Sequence, residues 1–351
     1  MKTIERRLTV YDIAKEAGVS ASTVSRVLTG NGPVKEKKRE LVQHILDKHE
    51  FRPSSVARSL KARRSKSVGF IVPDITNPFF STMFLEVETR LAVAGYTVIL
   101  CNSESRRERE MEILHMLTEK DVEVIVLSGG IVDDLFPQPK MLREIEKINR
   151  RVPVITLSKF PGVHCTQVYS NEKQGVFDIV RHFSDTGHKT IGMLGGTMDV
   201  RPAFERKIFL LEAANQFGLE VRGEWLIEEG FSIQAGTRAM EKLLMLAERP
   251  SAILAYNDIV AVGALSVIER NGLKLGREIA LSGMDGINLT ESIFPGITTV
   301  AVDYSAFSDY VVEFAINRGK GEQYLKDRVF PVQLMCRGTT VPFQESGHAI
   351  K

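Results

Sequence analysis

Two groups of residues in this 351-residue chain carry side chains suited to binding. One lies near the N-terminus. Ala21, Ser22 and Ser25 are small, so a backbone bearing them can come close to a partner, and Arg26 can fork onto a guanine edge or a phosphate. The other group lies where predicted strands end. In Pro73-Asp74-Ile75-Thr76-Asn77-Pro78-Phe79-Phe80, Asn77 can hydrogen-bond a ligand and Phe79 offers a flat ring to the C–H face of a sugar, whereas Phe80 reads as core. Arg201 and Arg206 supply guanidinium forks that can grip two hydroxyls or a carboxylate. Asn257 and Asp285 follow later strands, and Phe231 follows a strand that comes after Trp225. This set suits a small polyhydroxylated molecule. No nucleophile–base pair, paired-carboxylate acid/base site or phosphate-binding loop can be placed. The seven histidines lack metal spacing, and Gly192-Met193-Leu194-Gly195-Gly196 is misplaced for a dinucleotide fingerprint. Binding without catalysis, cofactor or metal is the expectation.

The elements that must position these residues differ between the two ends of the chain. Residues 1–66 hold 16 Lys+Arg against 7 Asp+Glu, and the rest holds 30 against 37, so a head of +9 precedes a body of −7. A basic head on an acidic body points to a polyanion partner for the head alone. Thr9 is placed to cap a helix over Val10–Ala17, Gly18 supplies a left-handed turn, and Ser20 caps a second helix over Ala21–Leu28. Val24, Val27 and Leu28 face inward, leaving Ala21, Ser22, Ser25 and Arg26 outside. Two short helices joined by a tight turn form a helix-turn-helix, whose second helix enters the major groove by its N-terminal end.

The run Leu8-Thr9-Val10-Tyr11-Asp12-Ile13-Ala14-Lys15-Glu16-Ala17-Gly18-Val19-Ser20-Ala21-Ser22-Thr23-Val24-Ser25-Arg26-Val27-Leu28 closely resembles the headpiece of the lactose/galactose repressor family (LacI/GalR) of bacterial transcription regulators. The resemblance continues through a third helix at about 36–49 and into Phe51-Arg52-Pro53-Ser54-Ser55-Val56-Ala57-Arg58-Ser59-Leu60. It implies that Thr9, Tyr11, Ser20, Ala21, Ser22 and Arg26 meet DNA. Lys35 stands where the family usually has a serine cap.

After Arg52-Pro53, Ser54 or Ser55 can cap a short helix with Ala57 and Leu60 on one face. A helix of that length is marginal alone, because nucleation outweighs the few bonds gained. By resemblance it is a hinge that orders against its twin and the minor groove, with Leu60 as the wedge, and Ser54, Ala57 and Lys61 beside it at the DNA. The domain reading is therefore a headpiece over residues 1–51, a hinge and linker over 52–66, and a body over 67–340.

In the body, short apolar runs alternate with amphipathic segments, which predicts doubly wound parallel sheets. A first series of strands starts at Val68–Val72, and a second starts near Val168. The resemblance implies two lobes of periplasmic-binding-protein type, expected over about 67–165 plus 300–328 and about 166–299 plus 329–340. Ligands in such sheets sit at the carboxyl ends of the strands. By resemblance Arg206 is the ligand-clamping arginine, with Arg201 a rival, and Asn257 and Asp285 meet the ligand. Asp258 is expected as a helix cap. Ser170-Asn171 stands where the family often has Asp-Asn, so a carboxylate is expected to be missing there.

No apolar run reaches the roughly 18–20 residues needed to span a bilayer, and no signal peptide is recognised. Cys101, Cys165 and Cys336 read as small hydrophobes in a reducing cytoplasm. No leucine heptad follows the body, so a dimer rather than a tetramer is expected. The combined expectation is a cytoplasmic, dimeric, sequence-specific repressor. It would bind a pseudo-palindromic operator under control of a small ligand, a sugar or sugar derivative. A sugar-modifying enzyme and a transport receptor are the competing classes. The missing catalytic set weighs against the first, and the basic head against the second.

Overall fold

The computed structural model describes residues 8–30, 32–49, 51, 65–319 and 326–340. Ser54, Ala57, Leu60 and Lys61 of the expected hinge lie outside the described residues. The chain divides into two compact units that part between Ser65 and Lys66.

The first unit is three helices, α1 (Val10–Glu16), α2 (Ala21–Thr29) and α3 (Glu36–Lys48). Ile13, Ala14, Ala17, Val24, Val42, Ile45 and Leu46 form its core, with Val27 and Leu28 packed half-buried against it. A capping box closes the start of α1: Thr9 Oγ1 accepts from the Asp12 N–H, and the Asp12 carboxylate accepts from the Thr9 N–H at 2.8 Å. Ser20 Oγ accepts from the Thr23 N–H at 3.2 Å and so starts α2. Lys35 makes no side-chain cap for α3, as its residue type implied. Glu16 ties α1 to the end of α3 through Lys48 at 2.9 Å and His49 at 2.8 Å.

The second unit has two α/β lobes. The first sheet contains β1 (Ser67–Val72), β2 (Thr97–Asn102), β3 (Val124–Leu127), β4 (Val154–Thr156), β5 (Thr166–Ser170) and β11 (Arg328–Phe330), in the order β11-β5-β4-β3-β1-β2. Every pairing in it is parallel. The second contains β6 (Ile191–Leu194), β7 (Leu226–Ile227), β8 (Ala252–Ala255), β9 (Ala280–Asp285), β10 (Thr298–Val302) and β12 (Val332–Met335), in the order β12-β10-β9-β8-β6-β7. Strands such as β1, β3 and β8 are buried on both faces, as continuous apolar runs between helix layers must be.

Two expectations need correction. The second sheet is not wholly parallel, because β12 pairs antiparallel with β10. The chain leaves β11 at the carboxyl end of the first sheet, and from there a strand entering the second sheet can only run backward. The lobe limits also move. β5 and β11 belong to the first sheet and β10 to the second, so the chain crosses just after Ser170, Val302 and Phe330. Each of these strands runs its full length before crossing.

The helices that cover these sheets are α4 (Pro78–Val93), α5 (Arg107–Glu119), α6 (Pro139–Arg151), α7 (Glu172–Asp185), α8 (Arg201–Phe217), α9 (Ile233–Leu244), α10 (Asp258–Arg270), α11 (Leu289–Ser292) and α12 (Tyr304–Gly319). Helices α9 and α10 touch backbone to backbone. A Cβ on Gly236 would sit 2.1 Å from the Val260 carbonyl oxygen, and one on Gly263 2.0 Å from that of Ile233. That contact brings their N-caps, Ser232 and Asn257, to the same end of the lobe. Among the described residues no helix is long and apolar enough to cross a membrane.

Candidate functional site

The outer surface of the first unit is polar and basic around the start of α2. Ser22 and Arg26 are exposed, and Tyr11, in the first turn of α1, is 77% exposed. Ser20 Oγ also lies 2.8 Å from Ser22 Oγ, so the two hydroxyls form one polar edge. The stem of Arg26 runs 3.4 Å from where a Cβ on Gly32 would stand, which leads its head past the backbone after α2. Lys35, Lys37 and Lys38 are exposed at the start of α3. Ala21 departs from expectation: it is half-buried and packs on the core rather than standing outside.

In the second unit the carboxyl ends of both sheets face a cleft of about 1030 Å³. Asn77, Phe79, Ser170, Arg201, Arg206, Phe231, Asn257 and Asp285 all line it. Arg206, on α8, stands in the middle of the charged groups and is 6% exposed. Its Nε is 2.5 Å from Glu172 Oε2 and its Nη2 is 3.1 Å from Oε1, a two-pronged ion pair. Nη1 donates to the Tyr256 carbonyl, the Tyr256 ring covers the guanidinium at 4.6 Å, and Asp285 Oδ1 is 3.8 Å from Nη2. Phe231 packs edge-on to Tyr256 at 4.8 Å.

Asp285 is reached through a strained backbone, φ 122°, on the strand end just before Gly286. Asp258 lies beneath that loop. It accepts from the Ile287 N–H at 2.8 Å and the Thr299 hydroxyl at 2.6 Å, and burial raises its pKa to about 7. Asp258 is therefore an anchor under the site and not the expected cap. The cap of α10 is Asn257, whose Oδ1 accepts from the Val260 N–H at 2.8 Å while its Nδ2 donates to the Phe231 carbonyl at 3.3 Å. Asn77 similarly caps α4 through the Phe79 N–H at 3.1 Å. The Phe79 ring lies tilted against that of Tyr304 at 5.8 Å, and the Tyr304 hydroxyl donates to the Asp285 carbonyl at 3.1 Å.

The two candidate arginines do different things. Arg201 reaches from the second lobe to the first, where its Nη2 donates to the Asp134 carbonyl at 3.0 Å and the Leu135 carbonyl at 3.4 Å. The Leu135 N–H donates to the Asp199 backbone carbonyl at 2.8 Å, and Lys159 of the first lobe stands 3.8 Å from Glu205 of the second. These contacts join the lobes along one side of the cleft. Arg206 holds the charged centre.

Several cleft residues escaped the sequence reading. The carboxylate expected to be missing at Ser170 is supplied by Glu172, with the Ser170 hydroxyl donating to it at 2.9 Å. Burial opposes the charge on Glu172, but Arg206 outweighs it and holds the carboxyl below its ordinary value. Burial also opposes the charge on Arg206, and Glu172 more than restores it. Asp133, in the turn Gly130–Asp133 after β3, has its pKa raised to about 6 by burial, against a hydrogen bond from Ser158. Its Oδ1 has no hydrogen-bond partner among the described residues. Glu110 accepts from the Ile131 N–H at 3.1 Å and is raised to about 8 by burial. Asp285 is raised well above its ordinary value, by burial first and then by Asp258 and Glu172, with Arg206 opposing. Asp133 could have been found, since it follows β3 at its carboxyl end. Among the described residues no group of His, Cys, Asp and Glu could hold a metal.

The comparisons with known proteins fit this geometry. The bacterial regulatory proteins of the lacI family match residues 9–54, and the periplasmic binding protein-like domain matches residues 180–340. The HTH-type transcriptional repressor PurR of Photobacterium profundum is 31% identical over 326 residues, covering 92% of this chain and 95% of that protein.

The chain belongs to the LacI family. It is a DNA-binding transcription regulator of that family and not an enzyme. Catabolite control protein A of Priestia megaterium is 30% identical over 297 residues, covering 84% of this chain and 87% of that one. Among solved structures, a lac repressor dimer bound to operator and an anti-inducer has a TM-score of 0.82 at 24% identity, covering 96% of this chain and all of that one. A likeness at that identity speaks for the fold of this LacI-family member alone. A LacI family regulator from Enterococcus faecium with bound ribose reaches a TM-score of 0.68 at 26% identity over 79% of this chain.

Proposed function

We propose that this LacI-family chain is a cytoplasmic, homodimeric repressor of a pseudo-palindromic operator, controlled by a small hydroxyl-rich ligand, a sugar or sugar derivative, bound in the cleft. One observation carries the reading: a cleft of about 1030 Å³ gathers Arg206, Asp285, Asn257 and Phe79 at the strand ends of a chain whose other unit is a helix-turn-helix. Ser20, Ser22 and Arg26 meet base edges and phosphates, with Thr9, Tyr11 and Ala21 fixing the approach. Ser54, Ala57, Leu60 and Lys61 are proposed for the minor groove. Asp285 exchanges hydrogen bonds with ligand hydroxyls, Phe79 and Phe231 lie against its carbon faces, Asn257 fixes Phe231 and the start of α10 behind them, and Ser170 and Asn77 border the ligand. A ligand that contacts both lobes changes how they sit, and so biases the DNA-binding state only by its differential affinity for the two arrangements.

A planar heteroaromatic base is the second reading, favoured by the rings Phe79 and Phe231, one from each lobe. Both are tested by screening sugars and nucleobases for thermal stabilisation, then measuring operator binding with and without each hit. A screen in which no compound changes operator affinity would refute control through the cleft.

A further inference from the structure

We infer that Glu172 sets the charge class of the ligand: by holding Arg206 in an internal ion pair it closes the cleft to anions, so the effector is hydroxyl-rich and carries no phosphate or carboxylate against Arg206. This rests on the reading of the cleft as the effector site.

A guanidinium has five N–H donors, and its attraction for an anion depends on having a fork free. Here Nε and Nη2 already meet both oxygens of Glu172, and Nη1 gives one of its two N–H groups to the Tyr256 carbonyl, so three of the five donors are engaged. One face lies against the Tyr256 ring at 4.6 Å. An incoming phosphate would have to displace Glu172, which Ser170 also holds at 2.9 Å. Displacing it leaves a buried carboxylate without its cation, a strongly unfavourable state.

The surrounding charge points the same way. Asp285 lies 3.8 Å from Arg206, so a second carboxyl group already stands beside this cation. Asp133 adds a third in the same field, and Arg201, the other cation acting on it, is turned to backbone carbonyls. Three carboxyl groups around Arg206 disfavour another anion and favour donors. Asp133 Oδ1 takes no hydrogen bond among the described residues, and Asp285 approaches Arg206 only at more than hydrogen-bond length. Ligand hydroxyls, or an ammonium, satisfy both.

The test is calorimetric titration of the full chain with inorganic phosphate and with a matched series: glucose, glucosamine, glucose 6-phosphate and glucuronate. The native chain is expected to bind none of the anions. Glu172→Gln frees the fork at nearly constant volume and is expected to gain phosphate affinity by about tenfold or more. Arg206→Gln added to it should remove the gain. Glu172→Ala serves as a second route if the first variant folds poorly by circular dichroism. Two results overturn the assignment. One is anion binding by the native chain that is lost with Arg206→Gln or Arg201→Gln. The other is folded Glu172 variants that stay blind to phosphate and glucose 6-phosphate. Should no compound alter operator affinity, the effector reading fails, while the phosphate titrations still decide the role of Glu172.

Discussion

The outward residues of the reading helix, Ser22 and Arg26, lie with their cap Ser20 within one short stretch, whereas the charged centre of the cleft draws Asp133, Glu172, Arg206 and Asp285 from four separate segments of the chain. In the first unit a cap and a turn settle which side chains point outward. In the cleft each charge is tolerable only because of another brought in from far away. A surface made locally can lose one side chain without disturbing the others. A buried set of charges cannot, because each removal leaves its partner unpaired.

Arg206→Gln is the hardest strain on that contrast. It removes the cation shared by Glu172 and Asp285, and should cost on the order of 3–5 kcal/mol in the stability of the second unit. Denaturant unfolding followed by the fluorescence of Trp225, the single tryptophan, reads it. An unchanged midpoint would show that the cleft charges do not depend on one another.

Glu110→Gln probes the same dependence with opposite sign. The pKa of Glu110 is raised from an ordinary 4.5 to about 8, so between these values the folded chain binds a proton that the unfolded chain releases. Stability therefore falls as pH rises through that window. The variant keeps an acceptor for the Ile131 N–H without the charge. It should be more stable than the native chain by on the order of 2–4 kcal/mol near pH 8, a gap closing toward pH 4.5. Calorimetric melting across that range checks it, and a gap independent of pH would break the account of Glu110.

The same contrast explains what the sequence disclosed. Thr9, Gly18 and Ser20 act on neighbours two or three residues away, so the helices of the first unit could be placed closely from residue types. The βα alternation was equally plain because burial between helix layers makes strands continuously apolar. The lobe crossings were less so, since no local signal distinguishes a strand that stays in one sheet from one that starts the next. Asn257 and Asp285 could be placed at strand ends, but that Asn257 spends both polar atoms inside the lobe is a fact of packing. Glu172 is not legible from the strand-end pattern, because it stands two residues past position 170, at the first residue of α7. Its pairing with Arg206, 34 positions later, depends on α7 lying beside α8.

Arg26→Ala moves the comparison to the surface. With its head exposed and its stem over Gly32, Arg26 holds little of the fold. Its loss should weaken operator binding by about 1–3 kcal/mol and leave the thermal midpoint unchanged. Titration at several salt concentrations separates its two possible partners. A base contact relaxes specificity at one position, whereas a phosphate contact lowers the salt slope by about one. A matching fall in the thermal midpoint would mean that the reading surface is not independent of the core.

Thr9→Ala is the smallest of these effects. It deletes one half of the capping box, and Asp12 can still accept from the backbone N–H of residue 9, now at 2.8 Å. The cost should be about 1 kcal/mol, confined to the first unit. Hydrogen exchange resolves it: amides of α1 should lose protection while those of β1 and β8, in the other unit, keep theirs. The separation between Ser65 and Lys66 predicts that confinement. Loss of protection in the sheets as well would mean that the two units unfold together, and the division between a local surface and a long-range site would no longer describe their stability.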